Sequence, residues 1–165
     1  MADTQELEGR LWKALGDDRT VMLGATGVEP RPMTALAEDD RTPLWFFTAS
    51  DTELAQSLEG SGGHAATATF VAKDHELFAT ISGHVVIDND RAVIERLWNP
   101  FIAAWFEQGK DDPKLRLLRM DAADAHVWLN ENSLLAGVKL LLGVDPKKSY
   151  EDKVGDVNLQ TPRSE

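Results

Sequence analysis

Four histidines, no cysteine and a scatter of hydroxyls bound the chemistry open to this 165-residue chain. The histidines stand at 64, 75, 84 and 126. No two are four residues apart, the helical spacing that brings two imidazoles to one metal. His75 falls in a hairpin turn and His84 and His126 fall in strands, where a hydrogen-bonded imidazole is the ordinary reading. The lack of cysteine removes disulfides, thiolate catalysis and thiolate metal ligation. There is no G-x-S-x-G elbow to expose a nucleophilic serine. The glycines of "GSGGH" lack the Lys-Ser/Thr end of a phosphate loop, and Asp111 and Asp112 are adjacent rather than at calcium-loop spacing.

A different group survives this sieve. Arg31 starts one strand, Phe47-Thr48 ends the next, and hydroxyls follow at Ser50 and Thr52, where a helix opens. A helix N-terminus presents free N–H groups and positive potential, which suits a phosphate. An arginine on a neighbouring strand completes such a pocket with a charge-assisted contact. The residues equally allow a structural reading, in which Ser50 only caps its helix and Arg31 only neutralises Glu38 or Asp39.

The elements that must position this group follow from periodicity. Leu7, Leu11, Trp12 and Leu15 predict an amphipathic helix over 4–15, closed by Gly16. Strands are expected at 19–26, 31–39 and 43–50, with "GVEP" as the first turn. Ser50 and Glu53 form a capping box for a short helix carrying Leu54 and Leu58. Strands at 65–73 and 77–87 make a hairpin, and alternation in the first puts Thr67 and Thr69 on one face. The segment "LWNPFIAAWFEQGKDDP" holds two tryptophans and two phenylalanines around Pro100. A proline inside a helix costs about 3 kcal/mol, whereas at the first helical position after an asparagine cap it costs little. Two helices, 90–98 and 100–108, therefore meet at Asn99-Pro100. Strands at 115–120 and 125–129, joined by a turn at "DAAD", precede a helix at about 133–142. This order argues for one mostly antiparallel sheet curled into a barrel with peripheral helices.

A net charge of −11 and a pI near 4.7 set the surface against nucleic acid, and no basic patch offsets them, since Lys147 and Lys148 stand beside Asp145, Glu151 and Asp152. "LLAGVKLLLGV" is too short to span a bilayer and carries Lys139. The acidic start lacks the basic and apolar runs of a signal peptide. No membrane association and a cytoplasmic location are the expectation.

Several stretches together resemble the pyridoxamine 5′-phosphate oxidase-like FMN-binding split barrels, within them the general stress protein branch. They are "RPMTAL" (31–36), "LWFFTASDTE" (44–53), "SGHVVIDND" (82–90), the aromatic block running to "DDPKLRLLRMD" (97–121) and "AHVWL" (125–129). The resemblance runs from about residue 5 to the late "GDVNL" and implies a mainly β, six-stranded antiparallel split barrel; the chain itself reads as one domain over 1–145 followed by a polar tail over 146–165. The resemblance also implies a homodimer with FMN between subunits and a flavin-dependent redox or stress-related role. Arg31, Pro32, Met33, Thr34, Ala35 and Leu36 would run along the flavin and its phosphate. Phe47 and Thr48 would contact FMN, Ser50 and Thr52 would join Arg31 at the phosphate, and Trp128 would lie beside the flavin. The rings of the aromatic block would pack mostly in the core or the dimer contact.

One departure stands out. The family places a phosphate-binding lysine at the start of the short helix, and the matching position here is Leu54, or Glu53 if the register slips by one. Its loss leaves two alternatives beside FMN: a cofactor-free barrel acting as a dimeric binding or scaffold protein, or a binder of FAD or a deazaflavin. No pyridoxamine phosphate substrate is implied, because the basic residues for its phosphate are not evident.

Overall fold

The structure, a computed structural model, describes residues 3–130, 141 and 153–160. Helix α1 (Thr4–Asp17) opens where the Asp3 carboxylate accepts from the amides of Gln5 at 2.9 Å and Glu6 at 3.4 Å. Leu7, Leu11, Trp12 and Leu15 are buried, as their spacing predicts. The helix runs through Gly16 instead of stopping there, and Asp18 closes it.

The rest is dominated by one antiparallel sheet. Its strands are β1 (Thr20–Ala25), β2 (Val28–Thr34), β3 (Leu36–Glu38), β4 (Arg41–Ala49), β5 (His64–Val71), β6 (Leu77–Ile87), β7 (Leu115–Leu129) and β8 (Val154–Asn158). The order is β2-β1-β5-β6-β7-β4-β3, with β8 added to β7. The sheet curls into the split barrel with peripheral helices that the sequence implies, but with eight strand segments rather than six. Two features make the difference. The stretch expected as one strand over 31–39 breaks at Ala35, and β3 leaves β1 to pair with β4, Leu36 opposite Trp45. The segment taken as a polar tail holds β8, whose Val157 and the following Leu159 are buried in the main core.

Two turns also move. The first connection is the tight Thr26-Gly27 turn, with Gly27 at φ 77°, and most of "GVEP" belongs to β2. "DAAD" is no turn: β7 is continuous, and Ala123 is an extra residue, since Ser82 pairs with Asp124 and Gly83 with Ala122. The helix expected at 133–142 lies, except for Leu141, outside the described residues.

Two apolar clusters hold the fold. The larger fills the barrel under α1 and includes Phe46, Phe70, Leu23, Ile81 and Met120. The smaller lies on the opposite, outer face of the sheet, where Trp45, Leu115 and Leu117 meet Val93, Ile94 and Phe106. The last three come from the aromatic block and its lead-in. Helix α3 (Arg91–Leu97) is capped by Asp90, and helix α4 (Pro100–Ala103) begins where Asn99 accepts from the Ile102 amide at 3.0 Å. The joint at Asn99-Pro100 is as expected, but α4 is a single turn, and tight turns replace helix out to residue 108.

Candidate functional site

The short helix α2 (Glu53–Leu58) closes one end of the barrel and packs against β2. Its cap is Thr52, not Ser50: the Thr52 hydroxyl accepts from the Ala55 amide at 3.2 Å. Both hydroxyls fit the local sequence, and the position of the first helical turn decides between them. Ser50 instead uses its backbone amide, which donates to the Lys114 carbonyl at 2.7 Å.

Thr48 is the buried polar residue of the described core, 7% exposed, with its hydroxyl 3.2 Å from that of Thr52. Thr52 donates to the Ala49 carbonyl at 3.0 Å. Its one proton is therefore spent, so Thr48 donates to Thr52 and keeps only lone pairs for anything else. Neither threonine in this arrangement offers a proton to a phosphate.

Leu54 is fully buried with Leu58 in the barrel core. The reading of Leu54 as the seat of a missing phosphate-binding lysine is corrected: a side chain there points inward. The exposed first-turn position is Glu53, whose carboxylate suits the helix N-terminus and opposes a second anion.

Of the β2 stretch, the side chains of Met33, Ala35 and Leu36 are buried in the two apolar clusters, so only their backbone can meet a ligand. Arg31, Pro32 and Thr34 are exposed. Arg31 pairs across to Leu23 on β1, on the inward-facing side of the strand, and is exposed to solvent. Arg41, Arg91, Arg96, Arg116 and Arg119 each pair with a carboxylate. Arg31 has no such partner among the described residues, so it does not neutralise Glu38, which is held by Arg96 at 3.0 Å.

Phe47 lies on the outer face, half-buried, with its ring edge-on to Trp98 at 6.1 Å. Trp98 in turn lies 6.2 Å from Phe106. Trp98 is thus a packing residue under the helix pair, whereas Trp105 is 84% exposed and no part of the core.

Trp128 is also on the outer face, edge-on to His126 at 4.2 Å, with Phe78 opposite it on β6. His126 is held by Asp156 of β8, Nδ1 to Oδ1, at 2.5 Å. Trp128 lies twelve residues along β7 from Arg116, the partner of Thr48, some 40 Å of strand contour. One chain therefore brings Thr48, Ser50 and Thr52 together at the entry of α2, while Pro32, in register with His126 through Met22, Thr69 and Thr80, lies in the row next to that of Trp128.

Arg116 is the residue that sequence reasoning missed. It stands directly across from Thr48 and is bound by Glu59 at 3.3 Å and by the carbonyls of Pro113 and Leu115 at 2.9 Å. Only the pairing of β4 with β7 reveals it. The residues present fit a flavin phosphate gripped by one free arginine, Arg31, with Arg116 as a second cation already engaged. No group of histidine, aspartate and glutamate side chains that could hold a metal occurs among the described residues. No described helix is long and apolar enough to cross a membrane.

Comparison with known proteins agrees with the fold. The family model described as pyridoxamine 5′-phosphate oxidase like matches residues 6–151. A general stress family protein from Xanthomonas campestris pv. campestris is 54% identical, covering 83% of this chain and 96% of its own, with a TM-score of 0.75. The general stress FMN/FAD binding protein from Xanthomonas citri is 52% identical over 81% of this chain and 96% of its own, also with a TM-score of 0.75. A general stress protein 26 from Jannaschia sp. CCS1 is 25% identical over 93% of this chain and 99% of its own, with a TM-score of 0.74. No curated protein matches the chain. The chain belongs to the pyridoxamine 5′-phosphate oxidase-like family, in its general stress branch.

Proposed function

We propose that this chain is a cytoplasmic, homodimeric FMN-binding protein with a redox role in the stress response. The observation that carries the reading is Arg31, an exposed guanidinium with no carboxylate partner among the described residues, on the strand β2 against which α2 packs. The 52% identical Xanthomonas citri protein, described as FMN/FAD binding, supports the same ligand class.

In this reading Arg31 holds the phosphate with the free amides of the first turn of α2. Pro32 and Thr34 lie along the ribityl chain, and Trp128 meets the ring from elsewhere in the assembly. A bound flavin supplies the redox chemistry; the chain supplies grip, orientation and shielding from water. Retention of FMN after removal of free flavin, read from the visible absorption bands of the purified protein, is the test. Arg31→Gln should weaken FMN roughly tenfold to a hundredfold, the loss of one charged hydrogen bond of about 1.5–3 kcal/mol. A protein that retains neither FMN nor FAD would overturn the reading. The cofactor-free scaffold would then lead, favoured by Glu53 at the mouth of α2 and by the engagement of Arg116 with Glu59.

A further inference from the structure

Of the four histidines, His126 alone is held by a carboxylate among the described residues. Its Nδ1 lies 2.5 Å from Asp156 Oδ1. An ionised carboxylate only accepts, so Nδ1 carries a proton and donates it to this bond. The contact thereby sets the tautomer and leaves Nε2 as the nitrogen that takes up or releases a proton. The pair joins β7 to β8, 30 residues apart in the chain.

The imidazole is fixed on a second side. Trp128 stands edge-on to it at 4.2 Å, with 65° between the ring planes. Both side chains project from the outer face, because the extra residue at Ala123 leaves Ala125 and Val127 inside. The side chain of His126 keeps 36% of its surface exposed. Clamped at one nitrogen and along one edge, it has lost rotamer freedom that an ordinary surface histidine keeps. The ring is held in place and still open to a ligand.

Charge decides what the free nitrogen does. In the reading above Trp128 meets the flavin ring, and hydride transfer is flavin chemistry. A hydride added to a neutral ring leaves one negative charge on it. The chain already carries a net charge of −11, and its free guanidinium, Arg31, is assigned to the phosphate. Pro32, Thr34 and Trp128, the residues placed along the ribityl chain and ring, supply no cation. His126, in contact with Trp128, is the group there that gains a positive charge by taking up a proton. On β6 it faces Thr80, which is uncharged, and on β7 Asp124 lies two residues before it on the same face. With Asp156 on β8, these are the charges that surround it, and both are opposite in sign to an imidazolium.

We propose that His126 exchanges a proton at Nε2 when the flavin ring beside Trp128 gains or loses a hydride, and that Asp156 is its positioning residue. The ring in this proposal rests on the flavin reading above; the choice of residue rests on the contacts of His126. A hydride donor gives up one C–H bond, whose two electrons and proton pass to the ring. His126 takes one proton from water at Nε2. The new positive charge offsets the negative charge beside it, while the Nδ1–H bond to Asp156 stays whole. When the hydride leaves again, the same proton leaves Nε2.

The test is the midpoint potential of the FMN-loaded protein, followed against pH around neutrality with a redox dye as reference. For each proton taken up with two electrons, a tenfold change in proton concentration moves the potential by about 30 mV. The wild type should therefore fall about 30 mV per pH unit more steeply than His126→Gln. Asp156→Asn should lose part of that extra slope, and Asp156→Glu, which keeps a carboxylate, should recover it. His126→Thr, a strand-forming residue that does not titrate, takes the place of His126→Gln should that variant lose its circular dichroism spectrum. A merely structural role for the pair gives equal slopes in all forms. Nitrogen NMR of the flavin-free protein reads the tautomer. Nδ1 of His126 should carry the proton in the wild type and in Asp156→Glu, and lose that preference in Asp156→Asn. FMN retained with equal slopes, or a wild-type Nδ1 without its proton, overturns this proposal and leaves the flavin reading standing. FMN retained by no form overturns both.

Discussion

Thr48 of β4 and Arg116 of β7 are direct cross-strand partners, yet the guanidinium is committed to Glu59, with Nε and Nη2 both 3.3 Å from its carboxylate. The cation closest in register to the buried threonine is therefore present but occupied. An exposed pair of this kind contributes about 0–1 kcal/mol. Glu59→Gln should release Arg116 and tighten FMN by up to about fivefold, read by flavin fluorescence titration. Unchanged affinity would assign Arg116 to holding the β7 entry alone.

Leu54 and Glu53 separate stability from binding. Leu54→Lys places an unpaired ammonium in the barrel core and should cost about 3 kcal/mol or more, through the burial of a charge with no partner. For a chain of this size that is a fall in Tm of about 6–12 °C, with no gain in flavin affinity. Glu53→Lys changes an exposed side chain at the mouth of α2. It should leave Tm nearly unchanged and tighten FMN. Thermal melts and flavin titrations on the two variants check both halves.

The hydroxyls at 50 and 52 have separable roles. Thr52→Ala removes the α2 cap and should cost about 1 kcal/mol. Ser50→Ala keeps the backbone bond to Lys114 and should change stability by less than about 0.5 kcal/mol. Urea melts that reversed this order would restore Ser50 as the cap.

Acid should loosen the helix pair. Glu38 is held below its usual 4.5, first by its hydrogen bonds from Arg96 on α3. Glu95 is held below 4.5, first by its hydrogen bond from Lys110. Asp112 is held below 3.8 by the amides of Lys114 and Gln108. In each case the folded pKa lies below the unfolded one. The stabilisation is then complete above about pH 5 and is lost as the pH falls through the lowered values. Tm should drop with acid over this window, and Glu38→Gln, which keeps no charge to lose, should give a flatter curve.

What the sequence made legible was local. The apolar spacing of α1, the strand β4 and the asparagine-proline joint are each written within a few residues, and each stands in the structure. What stayed hidden depends on distant partners. Arg116 meets Thr48 only through the pairing of β4 and β7. Leu54 is core because α2 plugs the barrel, a fact about neighbours and not about its own segment. The strand β8 has two apolar residues in a charged stretch, Val154 and Val157, with Leu159 just after it, and forms only by lying against β7. Ser50 and Thr52 were confused because either hydroxyl can cap, and a shift of two residues in helix start decides between them.

The extra residue at Ala123 governs the orientation of everything after it. Before it the even-numbered side chains of β7, Leu118, Met120 and Ala122, face the barrel; after it the odd-numbered Ala125 and Val127 do. A strand alternates with a period of two, so one unpaired residue inverts its phase. Were Ala123 paired in the ladder instead, the tryptophan at 128 would stay in step with Met120 and be driven into the barrel, while Val127 would be turned to solvent. The outward aspect of Trp128 is thus a matter of counting: deleting Ala123 would leave a regular strand whose last five residues face as they do now, whereas drawing Ala123 into the ladder would exchange their two faces.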